Sequence, residues 1–252
     1  MFFLLALVLC ALIGCSDGEP PADTNRYPVR IVRPLVFVAK KFKGPITKDQ
    51  AEKLMGLKVS LGGSNDPEAY FFLTDKHGKR ISTTTSKEYL EAKNQGAVSN
   101  TTADITMESW FRQVAGTLKF VHVSTPSKQS QWPDDILEIL PVTILNWVGS
   151  EEREQHKKDA ANGLNLRSYM EKGAITSWQF STNELSFSHN GLAYSFEILA
   201  KGDHGNDGNE DLLVMESYHY EGASGRGYGL YILSNTIDGK IIQESFYLNE
   251  EL

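Results

Sequence analysis

The stretch LSFSHNGLAYSFEIL, Leu185 to Leu199, decides the fold. It holds two strand candidates, Leu185–Ser188 and Leu192–Leu199, joined by Asn190-Gly191. Asn-Gly suits a two-residue hairpin loop because both central positions of the favoured turn need positive φ. The pattern continues outward. Trp178–Phe180 precedes this pair, and Leu212–Tyr220, Tyr228–Leu233 and Lys240–Tyr247 follow it, with Asp238-Gly239 as a second hairpin signal. From Thr176 onward the chain therefore reads as an antiparallel meander.

Upstream, strands and helices are mixed. Tyr27–Ala39 reads as a strand in which Pro34 predicts an edge position or a bulge. Thr47-x-x-Gln50 makes a capping box for a short helix ending at Gly56. Leu57–Leu61 and Ala69–Thr74 read as strands, with a turn at His77-Gly78 leading to Ile81. Ser86 is the expected cap of a helix over Lys87–Asn94, and Asp104 of another over Ile105–Ala115. There Met107, Trp110, Phe111 and Val114 share one apolar face that reads as core. Gly116 is expected to end this helix, and Leu118–Val123 to be a strand. Glu151–Ala161, behind Ser150 and stopped by Asn162-Gly163, is a charged helix with almost no apolar face, which predicts a surface position. The fold class is α+β, β-dominant, with two to four short helices. One globular domain is expected over 27–252, with 125–175 as the place where it would subdivide.

The 252 residues include 40% hydrophobic ones, enough for a sizeable core. Lys and Arg number 25 against 32 Asp and Glu, so the net charge is −7 and a general nucleic-acid partner is disfavoured. No repeat of solenoid or propeller period is visible. Charge is uneven, however. From Arg26 to Lys58 there are nine basic and two acidic residues, a stretch suited to anionic lipid headgroups or to the acidic segment near residue 203.

Residues 1–14, MFFLLALVLCALIG, are uncharged and too short to span a bilayer, which needs about 20 apolar residues. Their length suits the apolar region of a signal peptide, although no Lys or Arg precedes them. Leu12-Ile13-Gly14-Cys15 resembles the lipobox of bacterial lipoproteins. That resemblance implies cleavage after Gly14, a diacylglycerol on the Cys15 sulfur and an acyl chain on its new amino group. Several chains together hold a protein stably at a membrane, each buried CH₂ adding roughly 0.8 kcal/mol. Residues 15–26 would then be the lipidated cysteine and a polar tether, SDGEPPADTN over 16–25. Because Ser16 is not Asp, the resemblance implies the outer membrane of the cell envelope. With Cys10 lost and Cys15 acylated, the mature chain would hold no disulfide and no thiol catalyst.

In KGDHGNDGNEDLLV, residues 201–214, Asp203, Asp207, Gly208 and Asp211 fall at positions 1, 5, 6 and 9 of a D-x-D-x-D-G-x-x-D loop. This resembles the calcium loops of integrin-α-like (FG-GAP or VCBS) repeats. The resemblance implies calcium held by the side chains of Asp203, Asp207 and Asp211 and the carbonyl of Asn209. Gly205 stands where that pattern has Asp or Asn, which leaves one carboxylate fewer. Calcium takes six to eight oxygens, so the defect predicts weaker binding. The region from Tyr218 to Gly229 also resembles a group of bacterial lipoproteins, a likeness that brings no activity with it.

Other constellations are incomplete. Gly222-Ala223-Ser224-Gly225-Arg226 breaks the nucleophile-elbow pattern at Arg226. His77, His122, His156, His189, His204 and His219 are scattered singly, and no H-E-x-x-H exists. Glu216 and His219 would lie on opposite faces of a strand. Tyr218, Tyr220 and Tyr228, in a glycine-rich run, are candidate stacking residues for a sugar or peptide. The reading is a membrane-anchored envelope lipoprotein acting as a non-enzymatic binding or structural module, with a protein or glycan partner. The competing reading is an envelope hydrolase of glycans or peptides using carboxylates of the C-terminal β region.

Overall fold

The computed structural model describes residues 27–38, 40–61, 71–146, 149–235 and 241–248. Cys15, the apolar leader, the tether and the Asp238-Gly239 turn lie outside the described residues. In chain order the elements are β1 (Arg30–Val36), β2 (Lys41–Pro45), α1 (Lys48–Met55), β3 (Phe71–Thr74), β4 (Arg80–Thr83), α2 (Ser86–Asn94) and α3 (Thr102–Val123). A 3-10 turn at Val142–Ile144 follows, then α4 (Ser150–Ala161), α5 (Leu166–Glu171), β5 (Thr176–Ser181), β6 (Glu184–His189), β7 (Leu192–Gly202), β8 (Asp211–Tyr220), β9 (Arg226–Asn235) and β10 (Ile241–Ser245). The class is α+β, and its C-terminal part is the antiparallel meander β7–β10.

The quoted stretch is the β6–β7 hairpin. Asn190 and Gly191 both have positive φ, 49° and 74°, and His189 pairs with Leu192 beside them. The main sheet runs β10-β9-β8-β7-β1-β2. β7 divides its outer edge: Leu192–Glu197 pairs with β6, while Ala200 and Lys201 pair with β1. Pro34 lies where the β1–β2 register shifts, between Ile31 and Leu35, so the expected bulge is present. On the edge strand β2, Lys41, Lys43 and Pro45 are exposed, groups that discourage further strand pairing.

Both faces of the sheet are covered, by different parts of the chain. On one face Leu213, Met215, Leu230 and Ile232 pack with Phe111, Val114, Leu118 and Val121 of α3 and with α1, α2 and β3. On the other, Phe187, Tyr194, Phe196, Val214 and Leu233 pack with Leu137, Leu140, Leu145, Leu166 and Tyr169. The 125–175 region thus supplies the cover of this second face.

The helical segments differ from expectation in instructive ways. α3 runs through Gly116, and Leu118–Val123 is its last part, not a strand. Residues Val114 to Val121 are all buried, Thr117 and Lys119 included, so burial along the run shows no helical period. Gly116 is there for contact: a Cβ on it would lie 2.5 Å from Leu230 Cδ1. The caps also move by a few residues. Thr85, not Ser86, caps α2 and closes a capping box with Glu88. Thr101, not Asp104, caps α3, and its hydroxyl accepts from the Asp104 N–H at 3.1 Å. Within 57–61 only isolated bridges form, Lys58 with Thr85 and Val59 with Phe37. Ala69 lies outside the described residues, and β3 is described from Phe71. α5 adds a fifth α-helix that no strong period announced.

If the close approach at Gly116 is structural, Gly116→Val will destabilise the fold by about 1–3 kcal/mol in a urea melt. A helix ending at Gly116 would tolerate the change almost without cost.

Candidate functional site

The acidic loop is a closed, self-capped turn. Asp203 is buried and accepts from the N–H groups of Asp207 at 3.1 Å and Gly208 at 2.8 Å. Asp211, also buried, accepts from the N–H groups of His204 at 2.7 Å and Gly205 at 3.1 Å, and burial raises its pKa. Asp207 is exposed and accepts from Asn209 N–H at 2.8 Å. Across the loop runs the strap that leaves α3: Thr125 bridges Asp203, and Lys128 N–H donates to Gly208 C=O at 2.7 Å. Calcium here would have to compete with these backbone donors for the same carboxylates. The basic segment contributes little to the loop's cover, which comes from 125–132.

The three tyrosines divide between faces. Tyr218 and Tyr220 lie on the second-core face of β8, whereas Tyr228 pairs with Ser217 and packs toward the first core. Tyr220, Tyr218 and Tyr231 instead lie across Gly225, Gly227 and Gly229, where any Cβ would collide with the rings. Behind them, on the same face, sits Glu216, 1% exposed. It accepts from Asn146 Nδ2 at 2.6 Å and Tyr231 Oη at 2.9 Å. Burial without a cation pushes its carboxyl up to about 7, against the hydrogen bond from Tyr231, which lowers it. His219 is exposed, so the expected separation from Glu216 holds.

At the hairpin end of this face a third group of residues converges. Glu152 and His156, four apart on α4, share one face of that helix. His189, the last residue of β6, meets them because the Asn190-Gly191 turn ends the strand under α4. One ligand atom from each of the three lies within 4.8 Å of the others, the one such group among the described residues. Both histidines are buried, at 4% and 6% exposure, with their rings 5.9 Å apart. Tyr169 of α5 packs against both rings, and its hydroxyl donates to Asp159 at 2.7 Å. His189 Nδ1 lies 2.8 Å from the Ala174 carbonyl. A carbonyl only accepts, so Nδ1 carries the proton and Nε2 keeps a lone pair. Nε2 of His189 and Nδ1 of His156 are buried without a hydrogen-bond partner. Burial lowers the His156 pKa, favouring the neutral ring, with Glu152 opposing. Chemically this is a mixed nitrogen–oxygen donor set for a divalent cation. The histidines taken singly carry no such signal; only the Glu152/His156 spacing was visible along the chain.

Comparison with models of known families, with curated proteins and with solved structures finds no match. Among the described residues no helix is long and apolar enough to cross a membrane.

Two outcomes test the electrostatics. Asp203→Ala strands the N–H groups of Asp207 and Gly208, the second of them buried, and will cost about 1–3 kcal/mol in EDTA, more than Asp207→Ala at the exposed position, as read from urea melts. Glu216 titrates near 4.5 when unfolded and near 7 when folded. Between those values the folded chain holds a proton that the unfolded chain has lost. Its contribution is therefore complete below the lower value and falls as pH rises through the upper one, by about 3 kcal/mol. The stability difference between wild type and Glu216→Gln will shift by that amount across the window; a constant difference would remove the raised carboxyl.

Proposed function

We propose that the chain is a lipid-anchored protein of the bacterial cell envelope, whose α+β domain works as a non-enzymatic binding or structural module. The observation that carries this reading is Leu12-Ile13-Gly14-Cys15, an apolar leader ending in a small residue and a cysteine, followed by a polar, proline-containing tether. Tyr27, the first described residue, pairs with Ser127. Acyl chains on Cys15 supply membrane attachment that no described helix provides.

A binding role draws support from the sheet itself. Ser186, Ser195 and Ser217 form a cross-strand row on the first-core side that ends at Tyr228. With Ser177, Gln179 and His219 the serines line a shallow groove of about 350 Å³. Hydroxyls, an amide and an imidazole on an open face suit a polar ligand such as an envelope glycan.

The full chain expressed in a bacterial host will incorporate labelled palmitate and stay with membranes through a high-salt wash. In Cys15→Ala the label will be lost. Wild-type protein without label would end the lipoprotein reading, and attachment that salt removes would make the basic segment, not lipid, the contact.

A further inference from the structure

We propose that Glu152, His156 and His189 bind one zinc ion, with water completing the coordination. The argument is independent of the membrane anchor. Two buried imidazoles with unpartnered ring nitrogens each forgo hydration, a cost that stands unless something replaces the lost partner. A cation between them restores a partner to both. Two neutral imidazoles and one carboxylate match the three-ligand sets that zinc takes with an open fourth position.

The surroundings fit that assignment. His189 is fixed in the right tautomer by the Ala174 carbonyl, the outer hydrogen bond that ligating histidines commonly make. Glu152 is oriented by Asn190, whose side-chain amide donates to its Oε1; a carboxylate retains further lone pairs for a metal. Tyr169 walls the two rings from one side. Calcium and magnesium are poor candidates because both prefer all-oxygen shells. Zinc accepts nitrogen and oxygen together.

The site also answers a structural need. α4 buries a single residue, His156, so it has no apolar stripe with which to dock. A metal joining Glu152 and His156 to His189 would staple this helix to the β6–β7 hairpin. Metal binding of this kind adds directly to the stability of the folded state.

The test uses the untagged full chain in detergent, stripped with EDTA and titrated with zinc by calorimetry. One zinc per chain is expected, with a rise in Tm of several degrees in excess metal. Cobalt in its place should give the intense visible bands of a four-coordinate site. His156→Ala and His189→Ala should each lower zinc affinity at least 100-fold, whereas Asp207→Ala should leave it unchanged. If either alanine variant unfolds, Glu152→Gln at the partly exposed position supplies the reading, with affinity at least tenfold weaker. Absence of stoichiometric zinc in the wild type would overturn the proposal. So would zinc retained by His156→Ala/His189→Ala.

Discussion

The register of β6 through β9 is the constraint on which the molecule depends. β8, β9 and the end of β7 send alternate side chains to two different cores, while β6 feeds one core only, so register decides which core receives which residue. Tyr194, Phe196 and Val214 enter one; Leu213, Met215 and Leu230 enter the other. A slip of one position would exchange the two sets. The Asn190-Gly191 turn fixes one end of this ladder, and the register shift between Ile198 and Ala200 returns the last part of β7 to β1. Fully burying one such aromatic or leucine side chain contributes about 1.5–3 kcal/mol, so misregister would forfeit several of these at once.

The two faces treat a buried carboxylate in opposite ways. Glu108 of α3, on the first face, meets Lys93 at 3.1 Å, Arg112 at 3.2 Å, the Tyr89 hydroxyl at 2.8 Å and Ser99 at 2.6 Å. Burial would raise it, but the two cations hold it down to about 2. Glu216, beneath the tyrosines of the second face, has only neutral donors and rises to about 7. Glu108 therefore adds stability at all pH above the ordinary carboxylate range and loses it in strong acid, while Glu216 is best tolerated when protonated. Removing a cation from the first cluster would leave a buried charge. The second cluster carries none below neutrality.

Legibility follows the range of the interactions involved. Local signals survived: the Thr47/Gln50 capping box, the Asn190-Gly191 hairpin and the Pro34 bulge are each fixed by a few adjacent residues. Elements whose identity rests on tertiary contact were misread. Leu118–Val123 resembles a strand because it is rich in Val and Phe, and it is helical as the last part of α3, whose residues Val114 to Val121 are buried whatever their polarity. Gly116 looks like a stop signal, yet its missing side chain is what lets α3 rest on Leu230. The tyrosines show the same limit: Tyr218 and Tyr228 are near in sequence, and strand alternation sets them on opposite faces.

The histidine pair is the extreme case. His156 lies on a helix whose charged surface predicts only solvent, and His189 precedes a turn that hairpin chemistry alone explains. Neither residue violates its local rule, so only the four-residue spacing of Glu152 and His156 marks the site along the chain. What joins the two histidines is the position of α4 over the hairpin, held by polar handles: Tyr169 to Asp159, Asn190 to Glu152, and the neighbouring imidazoles. Hydrophobic burial contributes least to this helix, and a ligand acting on its polar contacts therefore has the greatest leverage there. The acidic loop is the converse. Its motif is conspicuous, and its carboxylates accept the backbone N–H groups that close the turn, whereas the inconspicuous histidines have buried ring nitrogens without a hydrogen-bond partner.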